Sequence, residues 1–186
     1  VPAGRALLLE ASAIEQLLHS GQLAAGLDVI HRTLGRIGLR LPATAAAALP
    51  GLVVRRARVR LRSLDHAALP PAERSQGELA RVDLFWSIAT GMALVDHVRG
   101  ADFQARHFLA GMGCGDPVRA ARALMMEACY SATGGSRTAR RTEAVLAAAA
   151  RAAASTGDPH ALAMVAHAES VVACCGGRWA RTRPAC

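Results

Sequence analysis

The chain has 186 residues, 52% of them hydrophobic, enough length and apolar content to build a core. Its net charge of +8 comes from 22 basic residues that are all arginine, because lysine is absent, as is asparagine. Those two gaps exclude a P-loop, which needs a Lys on the phosphates, a protein kinase centre, which needs a strand Lys and a catalytic-loop Asn, and any Schiff-base enzyme built on a Lys amine.

Aromatic residues make up only 3% of the chain, and the apolar content leans on Ala and Leu, strong helix formers, rather than on the residues that fill sheets. The expected fold class is all-α. An all-Arg, Ala-rich composition is also what a G+C-rich genome produces, so much of the basic balance needs no acidic partner. Five cysteines, Cys114, Cys129, Cys174, Cys175 and Cys186, show no Cys-x-x-Cys spacing, which points away from a disulfide framework or a zinc ribbon and toward the cytoplasm. The longest apolar stretch, Val145 to Ala154, is interrupted by Arg151 and falls short of the roughly 20 residues a membrane span needs. The opening Val1-Pro2-Ala3-Gly4-Arg5 does not read as a signal peptide, and the lack of an initiating Met suggests a fragment.

In chain order, Arg5 to His19 and Leu23 to Ile37 form a helical hairpin around Ser20-Gly21-Gln22, with Leu7, Ile14, Leu17 and Leu18 facing Leu27, Ile30 and Leu34. Gly38 to Pro50 is turn-rich. Leu52 to Leu64 crowds Arg55, Arg56, Arg58, Arg60 and Arg62 into a short span. Residues 58–62 alternate like a strand, while Leu49, Leu52, Val53, Ala57, Leu61 and Leu64 make a helical stripe; helix is preferred, since no neighbouring segment offers strands to pair with. A second turn-rich stretch, Asp65 to Gly77, contains Pro70-Pro71. Leu79 to Val98 has the spacing of a central, nearly surrounded helix, and Gly100 separates it from a shorter helix, Ala101 to about Met112.

The clearest organisational signal is a repeat. Gly115-Asp116-Pro117 recurs as Gly157-Asp158-Pro159 and Gly134-Gly135 as Gly176-Gly177, all at an offset of 42, and Ala121 and Glu127 match Ala163 and Glu169. These residues sit where a helix must start and stop: Asp caps the free amides of the first turn, Pro at the first helical position has no N–H to lose, and Gly ends the helix in a left-handed turn. Each window is therefore expected to be one helix of about 16 residues, followed by a second helix, Arg137 to Thr156 in the first unit. The expected architecture is a stack of helical hairpins, a tetratricopeptide-like α-solenoid with a repeat of about 42 residues, over 1–177. Its hairpins fall at about 5–37, 45–98 with a loop at 65–77, 101–114, 116–156 and 158–177, and 178–186 forms a truncated or irregular tail.

The stretch Arg81-Val82-Asp83-Leu84-Phe85-Trp86-Ser87, then Gly91, Val95-Asp96, Arg99-Gly100-Ala101-Asp102-Phe103-Gln104 and Arg106-His107, resembles the helical-repeat region of large bacterial serine/threonine protein kinases. In those proteins an amino-terminal kinase domain is followed by an NTPase module and then a tetratricopeptide-like array. Leu39-Arg40-Leu41-Pro42, Arg55-Arg56-Ala57-Arg58 and Gly157-Asp158-Pro159-His160-Ala161-Leu162 fit the same pattern, so the resemblance spans most of the chain. It implies a non-catalytic interaction or regulatory scaffold, because the kinase and nucleotide sites of such proteins lie upstream. The glycine-rich Gly111-Met112-Gly113-Cys114 and the tail after Trp179 depart from the pattern.

No catalytic, cofactor-binding or metal-ligating set is expected. Gly111-x-Gly113-x-Gly115 before a helix invites a phosphate-loop reading, but Asp116 would place a carboxylate at the anion-binding end of that helix. Asp96, Arg99, Asp102 and Arg106 are read as a structural ion-pair network near Gly100. His160 and His167 are not placed to bind a metal together, and Cys174-Cys175 reads as packing. Arg55, Arg56, Arg58, Arg60 and Arg62 are the candidate partner-binding surface, since arginines engage carboxylates or phosphates bidentately. The expected partner is a protein or another domain of the same polypeptide. A free-standing basic adaptor is the alternative, and nucleic acid is disfavoured because no aromatic platform interleaves the arginines.

Overall fold

A computed structural model describes residues 3–178. The described residues form eight α-helices and no strand: α1 Ala3–His19, α2 Leu23–Arg36, α3 Ala45–Leu61, α4 Gln76–Ala93, α5 His97–Gly111, α6 Pro117–Ala132, α7 Ala139–Thr156 and α8 Pro159–Cys175. Short 3-10 turns lie at Pro71–Glu73 and Gly135–Arg137. The tail from Trp179 onward lies outside the described residues. The chain divides into two compact units, one comprising residues up to Arg62 with Ser75–Ala110, the other Ser63–Arg74 with residues from Gly111 onward.

In the first unit α1 packs against α2 and α4. Ile14, Ile30 and Leu34 are fully buried and Leu7 and Leu18 nearly so, whereas Leu17 and Leu27 are half-buried. Leu18 sits where two glycines admit it: a Cβ at Gly26 of α2 would lie 2.7 Å from its side chain. α4 is the central helix of this unit, with ten buried residues between Leu79 and Met92. It begins earlier than its apolar pattern predicts because Ser75 caps it, accepting from the Glu78 N–H at 3.3 Å.

Gly100 does not separate two helices, as its sequence position suggested. It lies inside α5, and the break falls at 94–96, where Asp96 accepts the N–H groups of Val98 (3.1 Å) and Arg99 (3.0 Å) and so starts α5 one turn earlier. Glycine at position 100 lets that first turn lie against the end of α4, since a Cβ there would come within 3.1 Å of the Ala93 backbone nitrogen. α3 likewise extends beyond the expected Leu52 start. Thr44 caps it by accepting from the Ala47 N–H at 3.1 Å, and Pro50 is carried inside the helix on an exposed face, where water can take over the Ala46 carbonyl that the proline leaves without a donor.

In the second unit α6 packs against α7 and α8, and α7 against α8. The Asp-Pro starts behave as capping chemistry dictates: Asp116 accepts from the Arg119 N–H at 2.9 Å and Asp158 from the His160 N–H at 2.8 Å. Small residues dominate the packing, with Ala120, Ala123 and Ala128 of α6 and Ala149 and Ala153 of α7 all buried. The segment 63–74 joins this unit through the Leu69 N–H, which donates to the Gly115 carbonyl at 2.9 Å, and through Arg74, which reaches Asp116 at 2.8 Å.

Gly100→Ala is expected to lower the unfolding free energy by about 1–3 kcal/mol, because the added methyl meets rigid backbone. Gly35→Ala, also helical but with open space around it, should raise stability by about 0.5 kcal/mol through helix propensity. Urea denaturation of both variants checks the pair.

Candidate functional site

The arginine-rich stretch is the second half of α3, and the helical repeat splits its arginines between two faces. At about 100° per residue, positions 55, 56 and 59 share one side while 53, 57, 60 and 61 share the other. Val59 is fully buried, and Arg55 and Arg56 flank it on the inward side. Arg55 places Nε at 2.6 Å and Nη2 at 2.5 Å from Asp102 Oδ1 in α5, and Arg56 Nη1 donates to Gln104 Oε1 at 2.9 Å. Arg58, Arg60 and Arg62 are exposed. The five arginines therefore do not form one surface. Arg55 and Arg56 hold the helix down, Arg58 and Arg60 lie on its exposed side, and Arg62 is the cap residue at its end.

Asp102 has no solvent exposure. Its second oxygen accepts from Arg106 Nε at 2.9 Å, so one buried carboxylate is shared between a guanidinium of α3 and one of its own helix. Arg106 also lies 5.1 Å over the Phe103 ring, which meets Phe85 edge-on with centroids 5.9 Å apart. Asp96 and Arg99 form a separate pair at 2.7 Å, with Arg99 Nη1 reaching the Pro42 carbonyl at 3.4 Å. Burial pushes the Asp96 carboxyl up, but the hydrogen bonds from the Arg99 backbone and side chain, the Arg99 charge and the Val98 N–H together outweigh it and hold the group below its ordinary value.

Several polar groups elsewhere are paired within the fold. Glu10 accepts from Thr33 at 3.0 Å and pairs with Arg36 in a cleft of about 460 Å³ between α1 and α2. A second cleft, of about 350 Å³, lies between the ends of α6 and α8 and the start of α7. Its Thr142 hydroxyl is bonded to Ser131, and Glu143 faces Arg178 at 3.9 Å. At the N-terminus of α6 the Asp116 carboxylate is held by Arg74 and by the Arg119 N–H, so the chain's own anion occupies that helix end. His107 is fully buried and packs against Trp86, with ring centroids 5.4 Å apart and the planes tilted by 59°.

Cys174 and Cys175, read from sequence as packing residues, are exposed at the last turn of α8. The apolar face of α8 instead runs through Val165, Ala168 and Val172, which leaves the final two positions over the edge of the unit. Cys114 is buried and donates to the Gly111 carbonyl at 3.2 Å, and burial raises its thiol above the usual range. Burial, with a smaller contribution from nearby Cys175, pushes Cys129 up to about 11. Neither thiol is an activated nucleophile at neutral pH. Among the described residues no group of three or more His, Cys, Asp or Glu is placed to hold a metal ion, and no helix is long and apolar enough to cross a membrane.

What stands out is the outward face of α3. Leu49, Val53, Val54 and Leu61 are 47%, 66%, 60% and 87% exposed, and only Ala48 and Val59 of the helix's 17 residues are buried. Sequence reasoning singled out the arginines but missed this apolar face. The signal that could have found it is the i, i+4 row Leu49, Val53, Ala57, Leu61, part of a helical stripe whose direction the sequence left open.

Asp102→Asn is expected to cost about 3 kcal/mol, because it removes the buried charge from between two guanidiniums, which at 23% and 18% exposure recover only part of their hydration. Asp96→Asn keeps the cap and is expected to cost about 1 kcal/mol at neutral pH. Since the Asp96 carboxyl titrates lower when folded than when unfolded, its contribution is complete above about pH 4 and is lost as the pH falls through the folded value. The acid limb of the stability curve should therefore be shallower in Asp96→Asn than in the parent, as measured by urea denaturation between pH 2 and 7.

No family model matches this sequence, and neither a curated protein nor a solved structure matches it.

Proposed function

We propose that the chain is a non-catalytic helical-repeat segment that acts by contact, as an interaction or regulatory scaffold within a bacterial serine/threonine kinase polypeptide of the kind its sequence resembles, and that it works in the cytoplasm. The observation that carries the contact reading is the outward face of α3, where four large aliphatic side chains meet solvent on a helix whose own arginines are partly spent holding it in place. Clustered exposed aliphatic surface of this kind marks interaction sites.

Features of the second unit support the 42-residue repeat. Gly115 and Gly157 both adopt positive φ, at 71° and 64°, as do Gly135 and Gly177, at 61° and 70°. Each Asp-Pro pair starts a helix, and α6 packs on α7, its hairpin partner, and on α8, the equivalent helix of the next repeat. Neighbour-on-neighbour packing of that sort is how helical solenoids extend.

Reading the coding sequence on either side of this segment tests the kinase assignment. A kinase domain and an NTPase module encoded upstream in the same frame is the expected result; their absence, with a start codon next to Val1, contradicts it.

A further inference from the structure

We infer that the outward face of α3 docks an acidic amphipathic helix of a protein partner, which lays its own apolar stripe along Leu49, Val53, Ala57 and Leu61 and sets carboxylates against Arg58 and Arg60. The inference rests on the contact reading given above and narrows it to a partner class.

α3 is turned inside out relative to an ordinary surface helix. Arg55 and Arg56 point inward, to Asp102 and Gln104, while the outward half carries the exposed aliphatic residues. Around the helix at about 100° per residue, Arg60 lies near one edge of that apolar face, beside Leu49 and Val53, and Arg58 lies at the other, beside Val54. Both arginines are exposed, and no acidic residue occurs anywhere in 45–62. The face is thus an apolar strip rimmed by cations, the complement of a helix with an aliphatic row and flanking carboxylates.

Charge and composition select this occupant over two others. A second copy of the chain would set the exposed Arg58 and Arg60 of one α3 against the same arginines of another, with no acid in either helix between them. A lipid surface favours a face with aromatic side chains and a broad basic border, but α3 has no aromatic residue, and Arg55 and Arg56 are committed to the protein interior.

The test measures binding to the whole chain by fluorescence anisotropy. The probe is a helical peptide of about 18 residues, five turns, with leucines spaced at i, i+4, i+7 and i+11 and glutamates beside them. A counterpart carries arginine in place of every glutamate, and vesicles of phosphatidylcholine and phosphatidylserine form a third arm. The acidic peptide should bind about 10-fold or more tighter than the basic one, weaken as salt rises, and lose about 10-fold in Val53→Asp/Leu61→Asp and in Arg58→Glu/Arg60→Glu. These side chains lie outside the core, so the variants should unfold at the parent temperature, which is checked alongside.

Equal binding of both peptides, or binding unchanged in the variants, overturns the inference. So does α3-dependent binding to the vesicles, or a dimer that Val53→Asp/Leu61→Asp dissolves. A photocrosslinker at Val53, used in the source cells, separates this inference from the reading beneath it. Capture of an acidic helical segment supports the inference; capture of any other segment overturns it while leaving the contact function standing; no capture overturns both.

Discussion

Asp102 has no exposure to solvent, and a carboxylate in that position costs several kcal/mol of lost hydration unless cations and hydrogen-bond donors are brought to it. Arg106, one turn along the same helix, supplies one guanidinium, and Arg55, 47 positions earlier in the chain, supplies the other. The requirement to satisfy that carboxylate draws α3 onto the first unit. Arg56 and the buried Gln104 add a second such contact, one position along α3 and two along α5, and Val59 and Ala48 add the little apolar burial this helix has. The attachment is therefore largely polar. A polar attachment leaves the aliphatic side of the helix free to face outward.

That inversion links the packing to the proposed contact function. In an ordinary amphipathic helix the aliphatic row would be spent on the core and the arginines would be solvated. Here the core is already furnished by α1, α2 and α4, whose Ile14, Ile30, Leu34 and Ile88 are fully buried, and by the Phe85–Phe103 contact that carries α5. The second unit reaches stability differently, through small-residue packing of α6, α7 and α8 and through Asp-Pro starts and glycine stops that set helix lengths. Asp116 and Asp158 are spent as the caps of α6 and α8, and burial raises the Cys114 and Cys129 thiols.

Local physics was legible in the sequence and long-range physics was not. The helical class follows from composition, and the starts of α6 and α8 follow from Asp116-Pro117 and Asp158-Pro159, because capping depends on residues a few positions apart. The start of α3 was misjudged because Pro50 reads as a breaker, although it is tolerated near a helix start on a wet face. Gly100 was taken for a helix boundary when it marks a close approach to α4. The direction of Arg55 and Arg56 is invisible to any periodicity, since it is decided by Asp102 and Gln104 some 47 and 48 residues away. The stripe of Leu49, Val53, Ala57 and Leu61 was visible in the sequence, but which side of the helix faces the core was not, because that is decided by those distant partners.

The orientation of α3 is the claim on which the account turns, and thiol labelling measures it directly. In a background with the native cysteines replaced by serine, single cysteines at Val53, Val59 and Leu61 are reacted with a maleimide under native conditions. The account predicts that positions 53 and 61 label at nearly the unfolded rate and that position 59 labels about 100-fold more slowly or less, the protection expected of a buried site that reacts only on opening. Protection at 53 and 61 together with rapid labelling at 59 would show the helix turned the other way, its aliphatic row in the core and its arginines in water, and would contradict the account.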